Sequence, residues 1–310
     1  MRAVESNWYR NFLSNLSLTK GRYDDAITKA TSGKKLNKLS DNPADMAYVL
    51  GLRGKIEQIN QFDKNIGTAK SFLTASESAM NSIQNSIYRV ITLAEQGASE
   101  TSSPEGRVII AQEIDQIRDS IINYANTEVM GKYIFAGSDN DSIPFEKDPT
   151  EVPAPDNVIY NGDGRVVKVQ ADFSIRVGTN IPGNEVFGVG NLIAPAPAGS
   201  TDIFASLHDL RDALIADDTT AISNELDAMS DIQEQINESR GNIGNNLRHI
   251  TDIQGMLKSY QNSLRVKVSD LEDADMAEAI SNLSREEVGL QATLQAGSRI
   301  QRHSLMNYLG

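Results

Sequence analysis

Apolar residues recur at every seventh position through a long stretch in the C-terminal half of the chain. These positions are Ile222, Met229, Ile236, Ile243, Ile250, Leu257, Leu264 and Leu271. A strict seven-residue repeat predicts a helix that coils in a left-handed sense around another helix. At about 1.5 Å per residue the helix spans roughly 75 Å, which is too long for a compact globule. We therefore expect an elongated rod.

The second seam position of this repeat is mixed. It is occupied by Leu226, Gln233, Arg240, Leu247, Gln254, Gln261 and Val268. Polar residues at a seam weaken an ideal two-stranded zipper. The pattern therefore favours packing within a bundle.

A 3–4 spacing of apolar or small residues predicts three helices in the N-terminal half. The first covers residues 3–30 and is broken by Gly33. The second follows the turn at residues 40–43, whose Ser-Asp-Asn-Pro sequence supplies N-cap chemistry, and ends near Gly97. Ser103-Pro104 opens the third.

Two further helices are predicted after residue 200. A short one has Ile203, Leu207, Leu210 and Leu214 on one face. The terminal one runs from Met276 to Leu309, with a thin apolar stripe that Gly289 and Gly297 are expected to interrupt. Each glycine costs about 1 kcal/mol relative to alanine. Such a helix is marginal alone, so we expect it to need a partner surface.

The pattern changes between Gly131 and about Ser200. Seven of the nine prolines lie there: Pro144, Pro149, Pro153, Pro155, Pro182, Pro195 and Pro197. Residues 158–160 and 165–170 are rich in β-branched residues and lie on either side of an Asn-Gly-Asp-Gly turn, which predicts a β-hairpin. Residues 173–177 predict another strand.

We therefore predict a mainly α protein with a small β insertion, in which long coiled-coil helices from both ends of the chain form the rod. Residues 1–44 and 270–310 are expected to form a terminal coiled-coil assembly domain. Residues 45–134 and 201–269 are expected to form a long-helix rod domain. Residues 135–200 are expected to form an outward β-rich domain.

The charge and composition exclude several classes of function. The formal net charge is −13, which disfavours a nucleic-acid binder because phosphate backbones recruit clusters of Lys and Arg. The charge is uneven: residues 1–70 carry 12 Lys and Arg against 7 Asp and Glu, and the remainder carries 17 against 35. There is no cysteine, and we expect no membrane span. Residues 1–16 lack the apolar run of a signal peptide, so any export is expected to use another route.

No set of residues predicts catalysis. His208, His249 and His303 are far apart and read as solvated helix faces, and Asp139-Asn140-Asp141 lacks the rest of a calcium loop. The acidic run from Glu272 to Asp275 is interpreted as the charged start of the final helix. We expect no enzymatic activity, no metal and no cofactor.

Two segments at opposite ends of the chain carry a family resemblance. Residues 31–44 contain a Ser-Gly-x-x-Leu-Asn stretch that leads to an acidic turn, in which Asn42 stands where Asp is commoner. Residues 271–278 contain Leu-Glu-Asp-Ala-Asp-Met-Ala-Glu. Together they resemble the N- and C-terminal signatures of the flagellin-like family.

The middle of the chain resembles the members of this family that join hook to filament. The similar segments are residues 131–137, 144–145, 160–163 and 180–187. Filament flagellins usually lack this series. The resemblance therefore implies a subunit of the hook–filament junction in the bacterial flagellum.

The resemblance further implies how the chain assembles. Its terminal helices would pack as a coiled coil that lines the core, after unfolded secretion through the flagellar type III apparatus. The candidate interface residues are Tyr9, Phe12, Leu16, Tyr23, Ile280, Leu283, Leu290 and Leu294. The antiparallel return of the chain is expected to bring two charged groups close together: Lys29, Lys34, Lys35 and Lys38, and Glu272, Asp273, Asp275 and Glu278. Implied partners are the chain itself, the hook-side hook-associated protein, flagellin and a cytoplasmic export chaperone.

Two alternatives stay open at this point. The chain resembles flagellin itself at both ends, so a filament subunit is the main alternative. A signalling coiled coil, such as the cytoplasmic rod of a chemotaxis receptor, is the second. That second class usually follows a membrane span and has no β insertion at its centre, so it fits the sequence less well.

Overall fold

The structure is a computed structural model that describes residues 2–148 and 157–309, with side chains within 9–148 and 157–299. Those residues form seven helices and six short strands. The helices are α1 (Arg2–Ser32), α2 (Pro43–Ala98), α3 (Pro104–Ala125), α4 (Gly183–Phe187), α5 (Ile203–Ile215), α6 (Thr219–Glu272) and α7 (Met276–Leu309). The mainly α fold with a small β insertion is confirmed, and α4 is a helix that the sequence pattern did not predict.

The long helices begin and end where local chemistry predicts. After α1, Gly33 takes a left-handed backbone with φ of +68° and donates its amide to the Lys29 carbonyl oxygen at 3.0 Å, a common way to end a helix. Before α2, the side-chain oxygen of Asn42 accepts two first-turn amides at 3.2 Å, with Pro43 as the first helical residue. The Ser103 hydroxyl caps α3 in the same way at 3.1 Å.

The seven-residue repeat forms the buried face of α6. Its positions from Ile222 to Leu264 are at most 3% exposed. Leu271, the last position, is half-buried. The repeat therefore predicted the buried face of a 54-residue helix correctly.

Polar residues at the second seam position of α6 reach across to α2. Arg240 Nη2 lies 2.6 Å from Glu77 Oε1, and its Nη1 donates to the Gln84 side chain. Gln254 donates to Asp63 Oδ1 at 2.7 Å. Since the residue numbers fall along α2 as they rise along α6, the two helices run antiparallel. The mixed seam is therefore a series of interhelical polar pairs.

The strands form three two-stranded antiparallel sheets within the described residues. They are β1 (Glu128–Val129), β2 (Lys132–Tyr133), β3 (Phe145–Lys147), β4 (Val158–Tyr160), β5 (Lys168–Gln170) and β6 (Arg176–Gly178). β1 pairs with β2 through a tight turn at Met130 and Gly131, both with positive φ. β6 overlaps the strand expected at residues 173–177. Pro149, Pro153 and Pro155 lie outside the described residues.

The hairpin predicted around the turn at residues 161–164 is wrong. β4 pairs with β3, where Tyr160 lies opposite Phe145, and β5 pairs with β6. The expected turn is held by another loop instead, because the Asp163 carboxylate accepts the Ser138 amide at 2.7 Å. Contacts distant in sequence therefore override the local turn signal.

A cluster of aromatic rings attaches this β-containing segment to α5. Tyr160 packs against Phe145 and donates its hydroxyl to the Phe135 carbonyl oxygen at 3.0 Å, and burial raises the pKa of Tyr160 to about 12. Phe187 stacks on Phe204 at the start of α5, with ring centroids 5.6 Å apart. The segment therefore has an apolar core despite its very short strands.

The chain divides into two compact units. Unit 1 is Met1–Gln58 with Ser259–Gly310, and unit 2 is Ile59–Lys258. Among the described side chains, the fully buried apolar residues of unit 1 are Ala26, Leu36, Val49, Leu52, Leu264 and Ala279, and all the others lie in unit 2. The finer three-domain division stays a prediction.

Replacing Ile250 by alanine should lower the free energy of unfolding by about 2–5 kcal/mol, because its side chain is fully buried in the seam of α6. Denaturant-induced unfolding measures the change. Met256→Ala on the same helix is the control, since Met256 is half-exposed and its loss should cost about 0.5 kcal/mol or less. Equal effects of the two substitutions would contradict the burial of this seam.

Candidate assembly interface

The two terminal helices of unit 1, α1 and α7, lie side by side in opposite directions. The Phe12 ring lies directly against Gly297. About two helical turns further along, Thr19 Cγ2 lies 4.0 Å from the position that a Cβ on Gly289 would take. The two candidate stripes predicted from the sequence therefore lie on helices that pack together.

The terminal helix predicted from Met276 to Leu309 is confirmed. The helix α7 has these bounds and continues through Gly289 and Gly297. A Cβ at position 297 would collide with the ring of Phe12. The absence of a side chain at this position therefore lets an aromatic ring approach the helix backbone.

The eight candidate interface residues are incompletely covered by the contact between α1 and α7. Phe12, Leu16, Tyr23, Leu283 and Leu290 are half-buried. Tyr9, Ile280 and Leu294 are 58%, 54% and 51% exposed, respectively. The helix pair thus leaves apolar side chains open to solvent. Their contact with another subunit stays a prediction.

Several exposed apolar residues of unit 1 were missed by the sequence analysis. They are Leu13, Leu18, Tyr48, Leu50 and Val288. These residues lie outside the single row of apolar positions, spaced by three and four, on which the prediction was based. Apolar residues on the other faces of each helix are the signal that would have identified them. Large exposed apolar side chains on a unit with so small a core are typical of a surface that a partner covers.

In unit 1, the connection between α1 and α2 is joined to the connection between α6 and α7 by backbone hydrogen bonds. The Lys35 amide donates to the Glu272 carbonyl oxygen at 2.7 Å, and the Ala274 amide donates to the Gly33 carbonyl oxygen at 2.8 Å. These bonds join the N-terminal segment 31–44 to the C-terminal segment 271–278. The two family signatures are therefore one structural feature.

One carboxylate lies at the centre of this junction. The Glu272 carboxylate contacts Lys34 Nζ and Arg53 Nη2, each at 2.6 Å, and Glu272 is only 6% exposed. Lys35 Nζ donates to the Asp270 carbonyl oxygen at 2.7 Å, where the end of α6 favours positive charge. We name Glu272, Lys34 and Arg53 the Glu272 clamp.

The clamp confirms one expectation and corrects another. The predicted approach of the N-terminal lysines to the C-terminal carboxylates is confirmed for Lys34, whereas Lys38 pairs with Asp25 at 3.3 Å. Glu272 does not start the final helix, because it is the last residue of α6. The helix α7 is capped by Asp275, whose carboxylate accepts the Ala277 amide at 2.8 Å.

The turn between α1 and α2 is held by a second carboxylate. Asp41 Oδ2 accepts the amides of Lys38 and Asn37 at 2.9 and 2.8 Å. These backbone hydrogen bonds lower the pKa of Asp41. The acidic residue of the N-terminal signature therefore stabilises the turn that leads into α2.

The interpretation of His208 as a solvated residue is wrong. Its Nδ1 lies 3.0 Å from Arg211 Nη2 and 3.5 Å from Arg118 Nη1, and its Nε2 lies 3.3 Å from Asp212 Oδ2. His208 thus belongs to a polar network between α3 and α5. His249 is exposed, and the side chain of His303 lies outside the described residues.

Among the described side chains, those of residues 9–148 and 157–299, no group of three or more Asp, Glu or His is arranged to hold a metal ion. Within residues 2–148 and 157–309, no helix combines the length and apolarity needed to cross a membrane.

Comparison with known families agrees with this arrangement at both ends. Residues 6–140 match the bacterial flagellin N-terminal helical region, and residues 226–309 match the bacterial flagellin C-terminal helical region. The two regions together cover more than two thirds of the chain and contain α7, all but the first four residues of α1 and all three clamp residues. The chain belongs to the flagellin family.

Within this family the chain matches flagellar hook-associated protein 3 of Escherichia coli over 98% of both chains, at 24% identity. It also matches flagellin of Bacillus subtilis at 24% identity, over 91% of this chain and 90% of that one. Among solved structures, a flagellar hook-associated protein of Vibrio parahaemolyticus superposes with a TM-score of 0.66 at 18% identity. That comparison covers 75% of this chain and 100% of the other, and it supports the fold.

Replacing Gly289 by alanine should stabilise the pair of α1 and α7, whereas replacing Gly297 should not. Alanine gains about 1 kcal/mol of helix propensity over glycine at either position. At 289 the new Cβ meets only Thr19 at ordinary contact distance, but at 297 it displaces the Phe12 ring. Helical content followed by circular dichroism during mild denaturation measures the difference. An equal gain at both positions would contradict the packing of Phe12 on Gly297.

Proposed function

We propose that this chain is a structural subunit that joins the flagellar hook to the filament. The observation that carries the proposal is the match to hook-associated protein 3 along essentially the whole of both chains. The open apolar surface of α1 and α7 supports it, since a subunit that works by packing against copies of itself needs such a surface. The role is structural and involves no catalysis.

In this proposal, unit 1 supplies the contacts between subunits. Helices α1 and α7 would pack against neighbouring copies and close the wall of a tube, which covers Tyr9, Ile280 and Leu294. Unit 2 has its own buried core and would stay folded while the subunit is added to the assembly. The division of the exposed and buried apolar residues between the two units favours this assignment.

The proposal also includes export and partners. The chain would leave the cell unfolded through the flagellar type III apparatus, guarded beforehand by a cytoplasmic chaperone. It would then bind the hook-associated protein on the hook side and flagellin on the filament side. The absence of cysteine supports a chain that unfolds and refolds outside the cell without disulfide chemistry.

Flagellin is the second candidate, and the match to the Bacillus subtilis protein favours it. A filament subunit must add to copies of itself without limit, whereas a junction subunit meets a different neighbour at each end. Electron microscopy of the purified protein in polymerising salt separates the two. Long ordered tubes would favour flagellin, and addition only to hooks that already carry the hook-side partner would favour the junction role.

Deletion of the gene should make motile cells non-motile, with intact hooks and with flagellin released into the medium. The wild-type gene should restore swimming. A Leu16→Asp, Leu290→Asp variant should fail to do so, because both side chains are half-buried on the proposed contact surface. Ser17→Asp, at an exposed position of the same helix, is the control. Normal filaments on the deleted strain would refute the junction role.

Residues 1 to about 40 and about 272 to 310 are expected to be mobile in the free monomer and ordered after assembly. Ordering each residue costs about 1–2 kcal/mol, and unit 1 has few buried apolar side chains to offset this. Burial against neighbouring subunits supplies the difference. Hydrogen–deuterium exchange on monomer and assembled protein measures it. Strong protection of both ends in the monomer would contradict the prediction.

A further inference from the structure

The contact between α1 and α7 has few close apolar contacts that could align the two helices from the start. Phe12 lies against Gly297 and Thr19 faces Gly289, so one side of the contact has no side chain at these positions. The Phe12 ring fits against Gly297 in one alignment, but this pair lies far along both helices from Gly33 and Ala274. A separate feature next to Gly33 and Ala274 is therefore needed to align the helices before their far ends meet.

The Glu272 clamp has the properties of that feature. Its carboxylate is nine-tenths buried and receives Lys34, which follows α1, and Arg53, which lies inside α2. Glu272 itself is the last residue of α6. One side chain thus links the end of α1, the body of α2 and the end of α6.

A slip of α6 by one residue against α2 and the end of α1 would break the clamp. It would move the Glu272 carboxylate by about 1.5 Å along α6 and by about 100° around it. Both cations would then lose their partner, and a buried carboxylate would be left without one, which is strongly unfavourable. Buried charged groups that select one register are the best-attested use of such pairs.

Among the described side chains of α1 and α7, the buried ones are Ala26 and Ala279, and both lie near the clamp. Exposed apolar side chains occur beside them, at Ile280, and far from the clamp, at Tyr9 and Leu294. Once the clamp has formed, each further pair of residues closes a loop of only a few residues, whereas pairing at the far ends first would close a far longer one.

We propose that Glu272 is the residue that positions α1 against α7. It holds the α1–α2 connection against the α6–α7 connection, so that the pairing of α1 with α7 begins next to Gly33 and Ala274 and proceeds toward the chain ends. The clamp is formed in the free monomer and marks the limit of its ordered part, so the segments expected above to be mobile are narrowed to the residues between the clamp and the two chain ends. This inference rests on the proposed function, in which α1 and α7 become ordered during assembly.

The first test is hydrogen–deuterium exchange on the full-length monomer, with Glu272→Gln compared with Asp25→Asn. Both substitutions remove one negative charge from unit 1, and the Asp25 pair with Lys38 is exposed. The Lys35 and Ala274 amides should lose at least tenfold in protection in Glu272→Gln and less than twofold in Asp25→Asn. Peptides of unit 2 should keep wild-type protection in both, which shows that the variants are folded.

Two results of this test would overturn the proposal. Unchanged protection at Lys35 and Ala274 in Glu272→Gln would mean that the carboxylate does not hold the junction. An equal loss throughout unit 2 would mean that Glu272 contributes to general stability and does not position the helices. Neither result depends on the flagellar role, so the clamp is tested even if the proposed function fails.

The second test reads the register after assembly and uses the absence of native cysteine. Cysteines at Thr19 and Gly289 face each other in the observed register, and cysteines at Thr19 and Leu290 report a slip of one residue. On hook tips, the first pair should form disulfides at least tenfold faster than the second. In the Glu272→Gln background this ratio should fall at least threefold. An unchanged ratio would refute the positioning role, whereas failure of the protein with native Glu272 to bind hook tips would refute the proposed function alone.

Discussion

The arrangement of the terminal helices in unit 1 depends on one buried carboxylate, around which the α1–α2 and α6–α7 connections meet. Glu272 ends α6, and its side chain contacts Lys34 and Arg53, which are more than two hundred residues earlier in the sequence. Two backbone hydrogen bonds lie beside it, and together these contacts make a single junction of the N- and C-terminal segments. Since α1 and α7 both leave from this point, their antiparallel contact follows directly from the junction.

The two units divide the work of stability and association. Among the described side chains, unit 2 holds nearly all the buried apolar ones, including most of the seam of α6 and the aromatic cluster around Phe145. The described part of unit 1 exposes large apolar side chains and buries few. In the proposed assembly, unit 2 would stay folded in the monomer, and the terminal helices would gain most of their stabilisation from other subunits. The same division reduces the entropy lost on folding alone and concentrates it in the assembly step.

Much of the fold could be predicted because its signals are local. Gly33, Asn42 and Ser103 end or cap helices through their own backbone and side-chain chemistry, and the seven-residue repeat identified the buried face of α6. The errors arose where a distant partner decides the outcome. Tyr160 pairs with Phe145 and not across the Asn-Gly turn. Likewise, the contact of Phe12 with Gly297 depends on a second helix far along the chain, so no local pattern predicts it.

Charge and apolar packing have separate roles in both units. In unit 2 the seam of α6 is apolar at one position and polar at the other, and Arg240 and Gln254 reach Glu77 and Asp63 on α2. These pairs form only in one alignment of α6 with α2. If α6 slid along α2, one apolar side chain of the seam could occupy the packing position of another at little cost in free energy. Exposed ion pairs contribute only about 0–1 kcal/mol each, so packing must supply most of the stability. The polar pairs then select the alignment, and the Glu272 clamp extends the same principle to the chain ends, where the apolar residues are fewest.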